Sequence, residues 1–352
     1  MEKAALKSFP SVSVVIATFN SGKTLGKCLS RIRSQNYPQS KIEILLGDGG
    51  SIDKTTQIAK KYQAKIIRIP SEKQNAEYNR GTAFNRAKND LVLILDHDNF
   101  MTTSNYLSEL VQPLVEHPEV IASESCYYHY DRQYSLLDRY YALFGTIEPV
   151  PFYFGKADKM MQTSKKWNLH GKAIDYGKYF LVKFANDPLR FPTIGTNGCL
   201  MRRKLVLENA DVRPNYHFPI DVMVDVVASG HNTFAFVKNS LTHLTGARGV
   251  LTFLKRRVMF VEKYHFTDSP RRRYSVYMPG DEWNLVKFIF YSLTLIKPTS
   301  DALIGFLQIP DPAWFLHPIM CLGVTISYGW GTVRSLMINP ANINTFFKHR
   351  EK

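Results

Sequence analysis

Over its first hundred residues the chain alternates short apolar runs with longer segments of helical spacing. Residues 12–17 (VSVVIA) are rich in β-branched side chains and read as a buried strand. TFNSGK breaks the run, and Leu25, Leu29 and Ile32 then recur at helical spacing. Residues 42–46 predict a second strand, ending in GDGGS, and 51–62 a helix capped by Ser51 or Asp53. Residues 66–69 predict a third strand, 76–89 a helix and 91–95 a fourth strand. This order argues for a parallel sheet with helices on both faces. In such sheets ligands bind at the carboxyl ends of the strands. Residues 18–20, 48–51 and 96–98 all fall at such ends, so one site can collect them.

Beyond residue 100 the pattern loosens. A helix is predicted over 104–117, up to Pro118, and a strand over 120–123. Residues 126–190 are dense in aromatic and basic groups (YYHYDRQY, PFYFGK, KKWNLHGK). They suit a lid or acceptor platform, or an insertion with its own small aromatic core. Residues 191–205 return to strand-like character and then a polar turn. Residues 221–229 predict a helix stopped at Gly230, 234–237 a short strand, and 250–264 an amphipathic basic helix. Residues 283–296 and 302–309 are largely apolar, and 313–333 contain no Asp, Glu, Lys or Arg over 21 residues. That length meets the minimum for a spanning helix, although Pro318, His317 and the glycines weaken it. Trp314, Tyr328 and Trp330 resemble an interfacial aromatic belt. With the basic clusters 255–257 and 271–273 upstream, the region is expected to contact a membrane, either spanning it or lying in its interface. A helical hairpin buried against the rest of the protein is the plainer alternative.

Charge narrows the choice of partner. The 352 residues carry a formal charge of +15, which suits an anionic one: a nucleotide, a phospholipid surface or nucleic acid. Nucleic acid is set aside, because no Cys/His finger, helix-turn-helix pattern or RNP-like aromatic strand is present. The four cysteines have no zinc spacing, so reduced thiols in a cytosolic setting are expected. The apolar run at 12–17 is too short for a signal peptide, and no export signal is expected. The chemistry concentrates in LVLILDHDN (91–99). At strand spacing Asp96 and Asp98 point the same way, and two convergent carboxylates want a cation between them. Hard oxygen ligands suit Mg2+ or Mn2+ carrying a phosphorylated substrate.

Taken in order, VSVVIATFN, ILLGDGGSIDKT, NAEYNRGTAFNRAKND and LILDHDN resemble the nucleotide-binding half of the family 2 glycosyltransferases, which have the GT-A fold. The resemblance covers about the first hundred residues well, 191–245 moderately and the rest poorly. It implies a Rossmann-like α/β fold, with a mixed, mainly parallel sheet flanked by helices; the apolar pattern beyond residue 282 adds C-terminal amphipathic or hydrophobic helices. It also implies roles. Thr18 and Asn20 match the turn holding the base edge and ribose, and Asp48 the carboxylate contacting the nucleoside. Gly49 stands where the family usually has a second aspartate. Asn79 and Gly81 match the segment along the diphosphate, Asp96 and Asp98 the metal motif, and His243 a third metal ligand. The implied inverting reaction needs a base to take the acceptor's proton. PIDVMVDVVASG supplies Asp221, preferred for its spacing to Gly230, and Asp225 as the alternative. A solvated helix-start carboxylate is the plainer role for whichever is not the base. Asn197 and Gly198 match the acceptor-site strand, with Arg202 or Arg203 for phosphate. Lys255, Arg256 and Arg257 match a basic helix that clamps a diphosphate or lipid headgroup, or form a snorkelling basic face.

The expected protein is a hexosyltransferase-like glycosyltransferase using Mn2+ or Mg2+ and a nucleotide-sugar donor. Its acceptor would be a polyprenyl phosphate, a lipid-linked saccharide or a polysaccharide, met at the cytoplasmic face of a membrane. Its expected parts are a donor half (1–125), an aromatic–basic insert (126–190), an acceptor half (191–265) and a membrane-associated helical region (266–352). Two rivals stand beside it. One is a nucleotidyltransferase or pyrophosphorylase, whose glycine-rich loop ATFNSGK would imitate. The other is a non-catalytic glycan- or lipid-binding module on the same fold.

Overall fold

The structure, a computed structural model, describes residues 9–187, 190–245, 249–267 and 271–339. Residues 1–8, part of the stretch read for an export signal, and 268–270 and 340–352 of the expected C-terminal region lie outside the described residues. In chain order the elements are β1 (Val12–Thr18), α1 (Leu25–Arg33), β2 (Ile42–Asp48), α2 (Thr55–Lys61), β3 (Lys65–Arg68), α3 (Ala76–Arg86), β4 (Leu91–Ile94), β5 (Asn99–Met101), α4 (Tyr106–Glu116) and β6 (Ala122–Tyr128). They continue with α5 (Leu136–Phe144), α6 (Pro149–Tyr153), β7 (Lys172–Asp175), β8 (Tyr179–Lys183), β9 (Cys199–Arg202), α7 (Arg203–Asn209), α8 (Pro219–Ala228), β10 (Thr233–His243), α9 (Val250–Phe260), α10 (Glu282–Thr294), α11 (Ile296–Gln308) and α12 (Leu316–Ile338). They form two compact units. One comprises 9–129, 171–187 and 194–244, and the other comprises 130–170, 190–193 and the described residues from 245 on.

The first unit is built on one sheet ordered β3-β2-β1-β4-β9-β6-β10-β8-β7, with β5 added to β10. β1 is buried along its whole length and pairs in parallel with β2 and β4. Val14, Ile16, Leu46, Leu93 and Leu200 lie in the core with α1 and α4 residues such as Leu29, Tyr106 and Leu110. The βαβ reading of the first hundred residues holds. The sheet is mixed rather than mainly parallel, however. Parallel pairing runs across β3-β2-β1-β4 and recurs between β6 and β10, while β9, β8, β7 and β5 pair antiparallel. β10 extends well past the expected 234–237 because three strands claim it: β6, β8 and, over its last three residues, β5. A register shift between Val237 and Ser240 holds the polar Lys238 and Asn239, which hide the strand from a hydropathy reading.

The second unit is helical. Tyr140, Phe144, Phe253, Phe288, Trp314 and Met320 share its core with aliphatic neighbours. Segment 126–190 is therefore not one insert: 130–170 belongs here, and 171–187 supplies β7 and β8 to the sheet unit. Ser135 caps α5 by accepting the Asp138 amide at 3.1 Å. Lys156 is buried, donates to the Val276 carbonyl at 2.8 Å and pairs with Asp281. His317 lies fully buried between the Tyr140 and Tyr153 hydroxyls, 3.0 and 2.9 Å away. Burial pushes its pKa down to about 3, with Lys297 adding to the shift. The basic helix expected over 250–264 is α9 followed by a π-helical stretch, Val261–Thr267. Trp314 is not part of an aromatic belt: it is fully buried, and its Nε1–H donates to the Ile309 carbonyl at 2.9 Å. Among the described residues no helix is long and apolar enough to cross a membrane, so no described helix carries the spanning alternative for 313–333.

Candidate active site

The site grows from three adjacent strand ends in the sheet unit. Thr18 closes β1 opposite Asp48, which closes β2, and its hydroxyl donates to Asp48 Oδ1 at 2.9 Å. The same carboxylate accepts the Gly50 and Ser51 amides at 3.2 and 3.0 Å. Asn20 sits at φ 50°, a left-handed conformation that asparagine tolerates. It ties the two turns together: its amide donates to Ser51 Oγ and its side-chain oxygen accepts the Ile52 amide, both at 2.9 Å. Asn79, on α3, donates to the Thr18 carbonyl at 3.3 Å. The close approach depends on Gly47, where a Cβ would stand 2.0 Å from the Asn79 carbonyl oxygen. At Gly49 a Cβ would stand 2.2 Å from Gln74 Cγ, so the space of the family's usual aspartate is filled from residue 74. The Gly22 amide donates to Asp53 at 2.9 Å. An amide of the ATFNSGK loop is thus spent on a carboxylate rather than left for phosphate, against the nucleotidyltransferase rival.

The third strand end carries the acidic pair. Arg80, buried on α3, donates from Nη2 to Asp96 Oδ1 at 2.8 Å. Burial works to raise the Asp96 carboxyl, but Arg80 prevails by charge and hydrogen bond and holds it below the usual range. Asp98 goes the other way. Burial raises it, the Asp96 charge adds to the rise, and His243 opposes without cancelling it. His243 Nε2 stands 3.9 Å from Asp98 Oδ1, because β10 pairs with β5 to place His243 opposite Asn99. His97, between the two aspartates, is held by Thr24 Oγ1 at 2.8 Å. Two carboxylates and an imidazole suit Mn2+ or Mg2+ in chemistry. Yet among the described residues no three His, Cys, Asp or Glu side chains stand close enough to hold a metal ion. Asp98 faces His243, while Arg80 pairs with Asp96.

The residues expected on the acceptor side adjoin this corner. The Gly198 amide donates to the Ile94 carbonyl at the end of β4, at 3.1 Å. Gly198 has φ +77°, and a Cβ there would meet Leu241 and the Tyr106 hydroxyl within 3 Å. Asn197 donates to the Tyr128 hydroxyl at 2.9 Å, and the Tyr128 ring lies 5.7 Å from that of His243. The structure thus links Asn197, Tyr128, His243 and Asp98 in one chain of contacts. Asp221 is fully buried in the first turn of α8. A Cβ on Gly195, two residues before Asn197, would stand 2.8 Å from the Pro219 carbonyl, so this turn packs beside the Asn197 segment. Asp225, one turn on, accepts the Asp211 amide at 3.0 Å and anchors the loop before α8.

Other expected residues lie elsewhere. Arg202 pairs with Leu91, at the opposite end of β4 from Asp96, and donates to the Leu114, His117 and Val120 carbonyls; it fastens backbone and does not reach the site. Arg203 begins α7 at that same end, its amide on the Asp90 carbonyl. Gly81 lies against the 214–217 turn, where a Cβ would stand 2.6 Å from His217 Cβ. In the helical unit Arg257 is buried between Phe253 and Phe260 and paired with Glu148, so it is a core ion pair rather than a clamp; Arg256 is exposed. Sequence reasoning missed Arg80, His97 and Tyr128. For Arg80 a signal existed: as the residue between Asn79 and Gly81, it sat inside the quoted motif.

Residues 13–185 match the family described as Glycosyl transferase family 2. Glycosyltransferase AglE of Haloferax volcanii is 35% identical over 95 residues, 26% of this chain and 31% of that protein. A Methanococcus voltae protein, dolichyl N-acetyl-alpha-D-glucosaminyl phosphate 3-beta-D-2,3-diacetamido-2,3-dideoxy-beta-D-glucuronosyltransferase, is 35% identical over 88 residues, 24% of this chain and 27% of that protein. The chain thus spans about a third or less of the length of these curated relatives. In fold it is similar to the mannosyltransferase PcManGT from Pyrobaculum calidifontis, solved with GDP-Man and Mn2+. The TM-score is 0.52 at 16% identity, covering 92% of this chain and 88% of that one.

Proposed function

We propose that this chain, which carries a family 2 glycosyltransferase domain over residues 13–185, moves a sugar from a nucleotide-sugar donor to a lipid-linked acceptor with inversion at the anomeric carbon. The observation that carries the reading is the gathering of Thr18, Asp48, Asp96, Asp98 and His243 at neighbouring strand ends, with Asn197 joined to His243 through Tyr128. The Thr18–Asp48–Ser51 turns hold the nucleoside. Arg80, Asp96, Asp98 and His243 form the diphosphate corner. Asp96, Asp98 and His243 are the side chains that would hold Mn2+ or Mg2+, which would supply counter-charge to the leaving diphosphate. Asp221 is the base: it takes the proton of the acceptor hydroxyl as that oxygen bonds to the anomeric carbon and the carbon–phosphate oxygen bond breaks. Asp225 is not needed for this step, being engaged with the Asp211 amide. The buried amide oxygens of Asn79 and Asn197 have no protein partner among the described residues, and a hydroxyl-rich ligand would supply the missing donors.

The Methanococcus voltae relative is named for a dolichyl-linked sugar phosphate, and the +15 charge suits a phosphorylated acceptor at an anionic surface. The reading places this reaction at the cytoplasmic face, where the four buried thiols would stay reduced. The test is turnover of a panel of nucleotide sugars with polyprenyl phosphate and lipid-linked saccharide acceptors, with Mn2+ and with Mg2+. One donor is expected to place its sugar in the organic phase. A folded protein that turns over none of them contradicts the reading.

A further inference from the structure

The last three helices are apolar on two sides. On α12, Met320, Val324, Ser327, Gly331 and Ser335 face the core of the helical unit. The opposite side carries Ile319, Ile326, Trp330, Val333 and Met337, all between 48% and 73% exposed. At 100° per residue these five fall within an arc of about 60° and extend about 27 Å along the helix. α10 repeats the arrangement, with Phe288 inside and Trp283, Phe290 and Leu293 outside. So does α11, with Ala302 and Gly305 inside and Ile296, Leu303 and Leu307 outside. Outward apolar stripes on three consecutive helices exceed the scattered exposure of an ordinary soluble surface.

Charge selects what covers them. Lys287 on α10 is exposed, Arg334 on α12 is exposed while pairing with Glu262 at 3.2 Å, and Leu251, Lys255 and Met259 form an apolar–basic–apolar row on α9, which packs against α12 at Gly323 and Gly331. Glu282, at the start of α10, is the one exposed carboxylate of the three last helices among the described residues. A chain of charge +15 repels a second copy of itself and is drawn to an anionic surface. No described helix is apolar and long enough to cross, so the stripes suit insertion parallel to the surface, with exposed tryptophans at headgroup depth.

We infer that α10, α11 and α12 form an in-plane docking surface for a bilayer containing anionic lipids. The inference deepens the lipid-linked-acceptor reading and rests on it for its purpose, but the binding is measured without donor or acceptor. The test is flotation of the full chain with vesicles of phosphatidylcholine alone or with one third phosphatidylglycerol. Binding is expected to be at least tenfold tighter to the anionic vesicles, with tryptophan emission quenched by brominated acyl chains. Ile326→Glu with Trp330→Glu should lower binding at least tenfold while circular dichroism stays unchanged. Ile174→Glu, on exposed β7, should leave it intact. Absence of flotation overturns the inference, as does binding indifferent to the double variant. A stable dimer in solution that the double variant dissociates overturns it in favour of a second copy. Vesicle binding without any sugar transfer would sink the active-site reading alone.

Discussion

Arg80 and Asp96 carry the sharpest consequence at the scale of single residues. A buried guanidinium facing the Asp96 carboxylate puts positive charge at this strand end. Asp96→Asn leaves that guanidinium facing a neutral amide and should cost about 1–3 kcal/mol of stability in urea unfolding. Arg80→Met should do the reverse to metal: with the competing cation gone, Mn2+ binding followed by electron paramagnetic resonance tightens several-fold, and unchanged or weaker binding contradicts the competition. The two aspartates of α8 separate cleanly. Asp225→Asn alters the carboxylate that accepts the Asp211 amide and should leave turnover within about threefold of wild type, whereas Asp221→Asn should lower it about 10²–10⁴-fold. In the helical unit His317 imposes a pH dependence. Its folded pKa of about 3 lies below its ordinary 6.5, so below about pH 6.5 the unfolded chain takes up a proton that the folded chain refuses. Stability should fall by up to about 1.4 kcal/mol per pH unit from pH 6.5 toward 3, and His317→Phe should remove that component of the slope.

Among the elements, α3 does the most to shape the turns that follow β1 and β2. It lies so close to β2 that Gly47→Ala drives a methyl into the Asn79 carbonyl, and backbone cannot yield as a side chain does. A loss of about 1–3 kcal/mol is expected in thermal unfolding. Gly49→Asp, which restores the family's usual residue, collides with the Gln74 side chain instead, so Gln74→Ala should recover part of the loss, with a coupling of about 0.5–3 kcal/mol between the two sites. These contacts also explain what was legible from sequence. β1, β2 and β4 are buried on both faces and read as apolar runs. α1 has one apolar stripe and read as a helix. β7 and β10 did not read as they fold, because Lys172 to Asp175 alternates weakly and Lys238–Asn239 interrupts β10 at a register shift. Strand direction beyond β4 was likewise hidden, since antiparallel β9 carries the same apolar pattern as a parallel strand would.

For the whole molecule, the division into a sheet unit and a helical unit cuts across the order of the sequence. Segment 126–190 looked like a single insert because its aromatic and basic composition is continuous, but its two parts serve different cores. Arg202 and Arg257 were misplaced for a related reason: charge on a short segment suggests a ligand, while only the fold reveals that one fastens three carbonyls and the other sits in a buried ion pair. Asp96 and Asp98, by contrast, stand where the sequence puts them, because the fully buried apolar run of β4 leads directly into them. The central claim is that this corner and Asp221 together transfer a sugar. Its most direct test is single-turnover transfer from the donor that the panel selects, compared among wild type, Asp98→Asn, Asp221→Asn and Asp225→Asn, with donor binding measured on each. The account predicts transfer by wild type and Asp225→Asn, loss of at least about a hundredfold in Asp98→Asn and Asp221→Asn, and donor binding by Asp221→Asn equal to wild type. Transfer by Asp221→Asn at the wild-type rate would contradict it.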